Sequence, residues 1–246
     1  MSVNLDVNRF GESGYVVVPD VLDAREADEL HGAVGEMQAR AHAAGATRRL
    51  NERTLLEDRR FFAAITRPRL LDVLRAVVGE NVQLLALDVL DAPPASGPHR
   101  SWHADLGFRS DVVLAVNVGL YLQDMTDAAG PLRVVPGSHR RAEGPPDAQA
   151  GEALADEVAV NVDAGTAVVF DAQLWHSGGR NASDRPRRAV FPYFGHYWMK
   201  RMDEFYGTPL PAYITQSEDP LVRQLFGLGL IGTSVHGAAY DARFYG

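Results

Sequence analysis

The sequence predicts an α+β protein in which helices come first and an antiparallel β-sandwich or barrel follows. Within the first eighty residues, apolar side chains recur at helical spacing; from residue 82 onward they form short runs separated by turn residues. No cysteine occurs in the 246 residues, so the fold holds without disulfides.

Gly14-Tyr15-Val16-Val17-Val18 is rich in β-formers and stops at Pro19, which reads as an opening extended segment. Asp23 then precedes Glu26 by three residues, the spacing of a capping box. Ala27, Leu30, Val34, Met37 and Ala41 follow on one helical stripe, predicting a helix to about residue 42. A second helix is expected over 68–78. Pro68 suits its first turn, Leu70, Leu71, Leu74, Val77 and Val78 supply its buried side, and Gly79 ends it.

Strands are expected at 82–90, 112–122, 132–135, 158–162, 166–170 and 188–194, with a short one around 101–105. The breaks at 92–98, 127–131, 136–140 and 178–186 are rich in Pro, Gly, Asp and Asn. Residues 142–157 are acidic and rich in Gly and Pro, and read as a surface loop that is either a plain connection or a lid. A short helix is expected near 219–226. No internal repeat or domain-scale linker interrupts the chain, so 1–246 is expected to be one domain. Residues 1–80 would be its helical support, 81–200 its β core and 201–246 a C-terminal extension.

Composition narrows the function. At 46% apolar and 23% charged, the chain has the balance of an ordinary globular protein. Its formal charge of −8 speaks against nucleic acid as the main partner, since phosphate binding needs a basic face. No apolar run approaches the ~18 residues of a membrane span, and the N-terminus has no secretory pattern, so no membrane association and a cytoplasmic setting are expected. Without cysteine, thiolate zinc sites and iron–sulfur clusters are excluded, and any metal must use His and carboxylate ligands. Nothing in the sequence specifies an oligomeric state.

Of the eight histidines, His103 stands out because Asp105 lies two residues away. On an extended chain, positions i and i+2 face the same side, so one strand edge offers an imidazole and a carboxylate to a single metal ion. His176 stands where a strand runs into a loop, and it completes a two-His, one-carboxylate set suited to non-haem iron. The same set also suits catalytic zinc. Arg187 separates the two readings. It lies eleven residues past His176 at the start of a strand, where a guanidinium can grip a carboxylate bidentately, as a dicarboxylate cosubstrate chelating iron requires. Arg188 is the second choice and Arg185 the third; neighbours on a strand face opposite sides, so only one of Arg187 and Arg188 points into the site. His31, His42, His99, His196 and His236 lack such companions and read as structural.

Taken together these segments resemble the phytanoyl-CoA dioxygenase (PhyH) family of Fe(II)/2-oxoglutarate-dependent oxygenases. The resemblance rests on Gly14 to Pro19, on Trp102-His103-Ala104-Asp105, on Gly130-Pro131-Leu132-Arg133-Val134-Val135-Pro136-Gly137-Ser138-His139, and on the segment starting His176-Ser177-Gly178-Gly179-Arg180-Asn181, followed by Arg187. It implies a double-stranded β-helix (a cupin-like jelly roll), with His103, Asp105 and His176 as iron ligands. It also implies Arg187 at the C5 carboxylate of 2-oxoglutarate and O2 as oxidant. It makes His139 a shaping residue of its turn.

On the strand after the metal motif, Asn117, Gly119 and Tyr121 share one face. Relatives put cosubstrate-contacting side chains there, so Asn117 and Tyr121 are candidate 2-oxoglutarate contacts, and Gly119 is expected to leave room for a substrate. Asp88 is a further polar candidate within an apolar strand. Relatives often carry Ser or Thr two or three residues after the arginine, whereas Ala189 and Val190 stand here. The implied reaction is hydroxylation, desaturation, ring closure or epimerisation of a small molecule, in secondary metabolism by analogy. The intact Asp105 argues against halogenation. The competing readings are a catalytically silent jelly-roll binding protein and a zinc hydrolase with the same three ligands.

Overall fold

The computed structural model describes residues 7–45, 50, 52–98, 100–202 and 210–229. His99, His236 and most of the expected C-terminal extension lie outside them.

The helices are α1 (Val7–Ser13), α2 (Ala24–Ala43), α3 (Glu52–Leu56), α4 (Arg59–Ile65), α5 (Pro68–Val77), α6 (Ala212–Thr215) and α7 (Pro220–Leu225). The strands are β1 (Tyr15–Val18), β2 (Val82–Ala92), β3 (Ser96–Pro98), β4 (Ala115–Tyr121), β5 (Leu132–Val134), β6 (Val158–Val160), β7 (Ala167–Asp171), β8 (His176–Gly178), β9 (Arg180–Asn181) and β10 (Arg187–His196). Both expected long helices form where the periodicity places them. Asp23 caps α2 with the reciprocal Glu26 bond of a capping box, and Pro68 sits in the first turn of α5.

The major sheet runs β1-β7-β4-β10-β2 with antiparallel neighbours, and a second sheet runs β6-β5-β8. A short ladder joins β3 to β9. This is the jelly-roll architecture expected of the chain. The stretch at 101–105 forms no strand; it contributes a single bridge, His103 to His176.

Alternation along the major sheet sorts its side chains into two layers. Val116, Val118 and Leu120 of β4, Leu87 and Val89 of β2, and Val190 and Phe194 of β10 join Leu30, Val34, Leu70 and Leu74 of α2 and α5 in the largest apolar cluster. The helices therefore cover one face of the sheet. A smaller cluster of Tyr121, Leu132, Val134, Val168, Phe170 and Ala189 fills part of the space between the two sheets. The remainder of that space is a cavity.

Candidate active site

The bridge between His103 and His176 is closed by two backbone hydrogen bonds, His103 N–H to His176 C=O at 3.0 Å and the reverse at 2.9 Å. It brings together side chains seventy-three positions apart in sequence and sets their rings 4.1 Å apart, centre to centre. Each imidazole places Nδ1 2.9 Å from the carbonyl two residues before it, Ser101 for His103 and Leu174 for His176. A carbonyl only accepts, so Nδ1 carries the hydrogen in both rings and both Nε2 lone pairs are left to point outward. Asp105 Oδ1 lies 3.8 Å from each Nε2, and the three ligand atoms fall within 4.8 Å of one another. Burial, aided by the neighbouring His176, pushes His103 down to about 4, so its ring is neutral through the physiological range. His103 Nε2 is buried without a hydrogen-bond partner among the described residues, and a metal ion at the common centre would satisfy it.

Arg187 enters the same cavity from β10 and is 2% exposed. Its Nη1 donates to the carbonyls of Gly130 and, at 2.8 Å, Gly179. Its Nε and Nη2 are buried with no partner among the described residues. Those two nitrogens form the edge of a guanidinium that matches a carboxylate bidentately. Burial lowers the affinity of Arg187 for its proton, with the Tyr121 phenol working the other way, but an arginine stays charged at such a site. Gly130 has φ 75°, and a Cβ there would stand 2.6 Å from Arg187 Nη1, which explains the glycine in the Gly-Pro turn.

The cavity has a volume of about 260 Å³, and both the triad and Arg187 line it. Arg188, the second choice, faces the other side of the sheet, where it pairs with Asp91 at 3.0 Å and donates to the His31 carbonyl of α2. Arg185 is exposed in the turn. Asn117 and Tyr121 both face the cavity, as does Asp88 on the edge strand β2. Asn117 directs its amide at Asp105, with Nδ2 donating to Oδ2 at 3.0 Å.

Gly119 departs from expectation. A Cβ there would lie 2.8 Å from the Tyr121 hydroxyl, so the space it leaves is filled by the phenol folded back over it, and not by a substrate. Burial raises the Tyr121 phenol well above its ordinary range, which keeps it protonated.

His139 is buried in its turn, with Nε2 3.3 Å from the Gly11 carbonyl, and His196 rests against the Val113 carbonyl at 3.0 Å; neither reaches the cavity. Residues 142–157 are tied down at their far end. Trp102 Nε1 donates to the Glu152 carbonyl at 2.9 Å, and Arg133 grips Glu157 through Nε at 2.9 Å and through Nη2. Phe191 and Tyr193 also line the cavity and were not singled out from sequence, although they share the Arg187 face of β10 by strand alternation. Arg100 and Met202 line it from outside the strands, where no periodicity signals it.

The sequence profile of the phytanoyl-CoA dioxygenase (PhyH) family matches residues 10–189, a span that holds His103, Asp105, Asn117, Tyr121, His176 and Arg187. The chain belongs to the PhyH family. A Mycobacterium tuberculosis relative, itself uncharacterised, is 30% identical over 78% of this chain and 75% of its own length. Two solved structures share the fold: the epimerase SnoN with Fe3+, α-ketoglutarate and nogalamycin RO, and the ectoine dioxygenase of Sphingopyxis alaskensis with 2-oxoglutarate and 5-hydroxyectoine. SnoN is 25% identical with a TM-score of 0.62, over 77% of this chain and 82% of its own. The ectoine dioxygenase is 26% identical with a TM-score of 0.63, over 77% and 74%. As a PhyH protein the chain is a non-haem iron, 2-oxoglutarate-dependent oxygenase. A zinc hydrolase or a silent scaffold would leave the two unpaired donors of Arg187 without a purpose. No helix among the described residues is long and apolar enough to cross a membrane.

Proposed function

We propose that this PhyH oxygenase oxidises a C–H bond of a small molecule, with hydroxylation as the first expectation and desaturation, ring closure or epimerisation as variants on the same site. The observation that carries the reading is the shared cavity: two buried guanidinium nitrogens without partners among the described residues face the same space as a His-Asp-His cluster. His103, Asp105 and His176 would hold iron through Nε2, Oδ1 and Nε2. Arg187 would hold the C5 carboxylate of 2-oxoglutarate through Nε and Nη2. Bound there, iron and the cosubstrate supply the oxidising power, with one atom of O2 leaving in succinate as CO2 is lost and the other entering a hydroxylated product.

The chain's own residues place and isolate these partners. The Gly130 and Gly179 carbonyls fix Nη1 so that the opposite edge of the guanidinium faces the cavity. Phe170, Leu132 and Phe191 line the wall and exclude water, which strengthens the carboxylate–guanidinium pair. Tyr121 stands directly across the ladder from Ala189, the position where relatives often place a hydroxyl. Its phenol, folded over Gly119, would supply that missing hydrogen bond to the cosubstrate. Asn117 retains one amide hydrogen for the cosubstrate beside the one given to Asp105. Residues 1–80 would act as the support of a single catalytic domain built on 81–200. Relatives that act on compounds such as ectoine and nogalamycin favour a free small molecule from secondary metabolism as substrate.

The test is direct. Anaerobic addition of Fe(II) and 2-oxoglutarate should produce a weak visible charge-transfer band, and admission of O2 should yield succinate. His176→Ala should abolish both, whereas persistence of either would show the ligand assignment to be wrong.

A further inference from the structure

We propose that Asn117 is a positioning residue that holds Asp105 to single-oxygen ligation of the metal. The inference rests on the iron site described above and adds to it a reason for the form the site takes.

Asp105 presents one oxygen to the site and withholds the other. Oδ1 is equidistant from the two histidine nitrogens at 3.8 Å, while Oδ2 accepts the hydrogen bond from Asn117 Nδ2 at 3.0 Å. The orientation of the amide is fixed from its other end. Asn117 Oδ1 accepts the Val118 backbone N–H at 2.9 Å, so the NH2 group is the one turned toward the carboxylate.

The local sequence explains why Val118 N–H is available to a side chain. Strands β4 and β10 pair at Leu120 with Val190 and again at Asn117 with Tyr193, but the ladder lapses between, opposite Phe191 and Pro192. Proline has no N–H to donate, so the β4 carbonyl facing it loses its ladder bond and the pairing is interrupted there. The lapse leaves room for Asn117 to bond its neighbour's amide. At the edge of that lapse its backbone is held by pairing to Tyr193 of β10 on one side of the strand and to Phe170 of β7 on the other. The chain of cause runs from Pro192 to the interrupted ladder, to the amide orientation, and so to the carboxylate.

The consequence lies in the number of places left on the metal. A 2-His-1-carboxylate site serves oxygenases because it leaves positions open. Here the cosubstrate needs two of them and dioxygen a third. A carboxylate free to turn can ligate through both oxygens and occupy one of these. With Oδ2 engaged by Asn117, Asp105 offers Oδ1 alone.

Co(II) titration of the purified protein, without cosubstrate or O2, reads this device independently of turnover. Asn117→Ala removes both hydrogen bonds. Asn117→Ser keeps a hydroxyl near the Val118 N–H but is too short to reach Asp105, so it isolates the second contact if the alanine variant fails to fold. Loss of a hydrogen-bonding partner behind a metal ligand typically costs about 10–100-fold in metal affinity. The Co(II) dissociation constant is expected to rise by roughly that factor in both variants, and the cobalt absorption should change shape as the carboxylate changes its mode. Wild-type affinity and an unchanged spectrum in Asn117→Ser would overturn the proposal while leaving the iron site intact. A wild-type protein that binds Co(II) no better than His176→Ala would instead sink the site itself.

Discussion

Arg187 carries five N–H donors on three nitrogens, and among the described residues only Nη1 has partners. That division makes Lys a poor substitute. Arg187→Lys keeps the charge but loses the planar fork, and hydrogen bonds to charged groups contribute about 1.5–3 kcal/mol each. Affinity for 2-oxoglutarate should fall about 10–100-fold, at about 1.4 kcal/mol per factor of ten, with metal binding unchanged. Isothermal titration of 2-oxoglutarate into metal-loaded protein checks this; a change within twofold would remove Arg187 from its role. That only one of Arg187 and Arg188 could enter the cavity was legible in the sequence, because alternation in a strand admits only one of two neighbours to a given face. The preference for Arg187 came from its spacing after His176 and from the family resemblance. The role of Gly119 was not legible. A glycine in a strand signals a close approach, but the sequence does not say which atom approaches, and here it is the phenol two residues along.

Among the elements, α5 is the clearest case of a helix whose position follows from its stripe. Leu70, Leu71, Val73 and Leu74 are all buried, and Leu74 has no exposed surface. Leu74→Ala should destabilise the fold by about 2–5 kcal/mol, lowering the denaturant midpoint without changing the slope of the transition. A loss under about 1 kcal/mol would show that α5 is not held through this face. The long elements were readable because their periodicity runs for many residues. The ladder of β3 with β9 was not, because three residues containing Gly and Pro meet a two-residue partner some eighty positions later, inside segments that read as breaks. Strand β8 was hidden similarly: three residues, His176 to Gly178, take their conformation from pairing with β5 and from the bridge to His103. The expected strand at 101–105 failed for the converse reason, since that bridge is its only pairing. The i, i+2 argument picked out His103 and Asp105, which the structure brings together with His176, but one bridge holds His103 there, not a ladder.

At the scale of the molecule, buried titratable groups set the response to acid. Burial lowers the proton affinity of both His31, packed between α2 and β10, and His139, enclosed in its turn. A histidine whose folded value lies below its unfolded 6.5 contributes stability above 6.5, and that contribution is lost as pH falls toward the folded value. Burial raises Asp171, which acts in the opposite sense: the fold favours its neutral form, so protonating it as pH falls further toward 3.8 restores part of the loss. Thermal melts should therefore decline as pH drops below 6.5, and His139→Gln, neutral throughout, should flatten that decline. A wild-type melting temperature constant across this range would contradict the assignment.

The two layers formed by alternation along β4 also bear on how this protein can change. Val116, Val118 and Leu120 belong to the helix-facing cluster, whereas Asn117, Gly119 and Tyr121 face the cavity side. The side chains packed under the helices and those that face the cavity are thus alternate letters of the same strand. On β2 and β10 the wall positions Ala86, Asp88, Phe191 and Tyr193 face the cavity, on the side of the sheet away from the helix-packed cluster. A scaffold divided in this way keeps its foundations on one side of the sheet and its wall on the other.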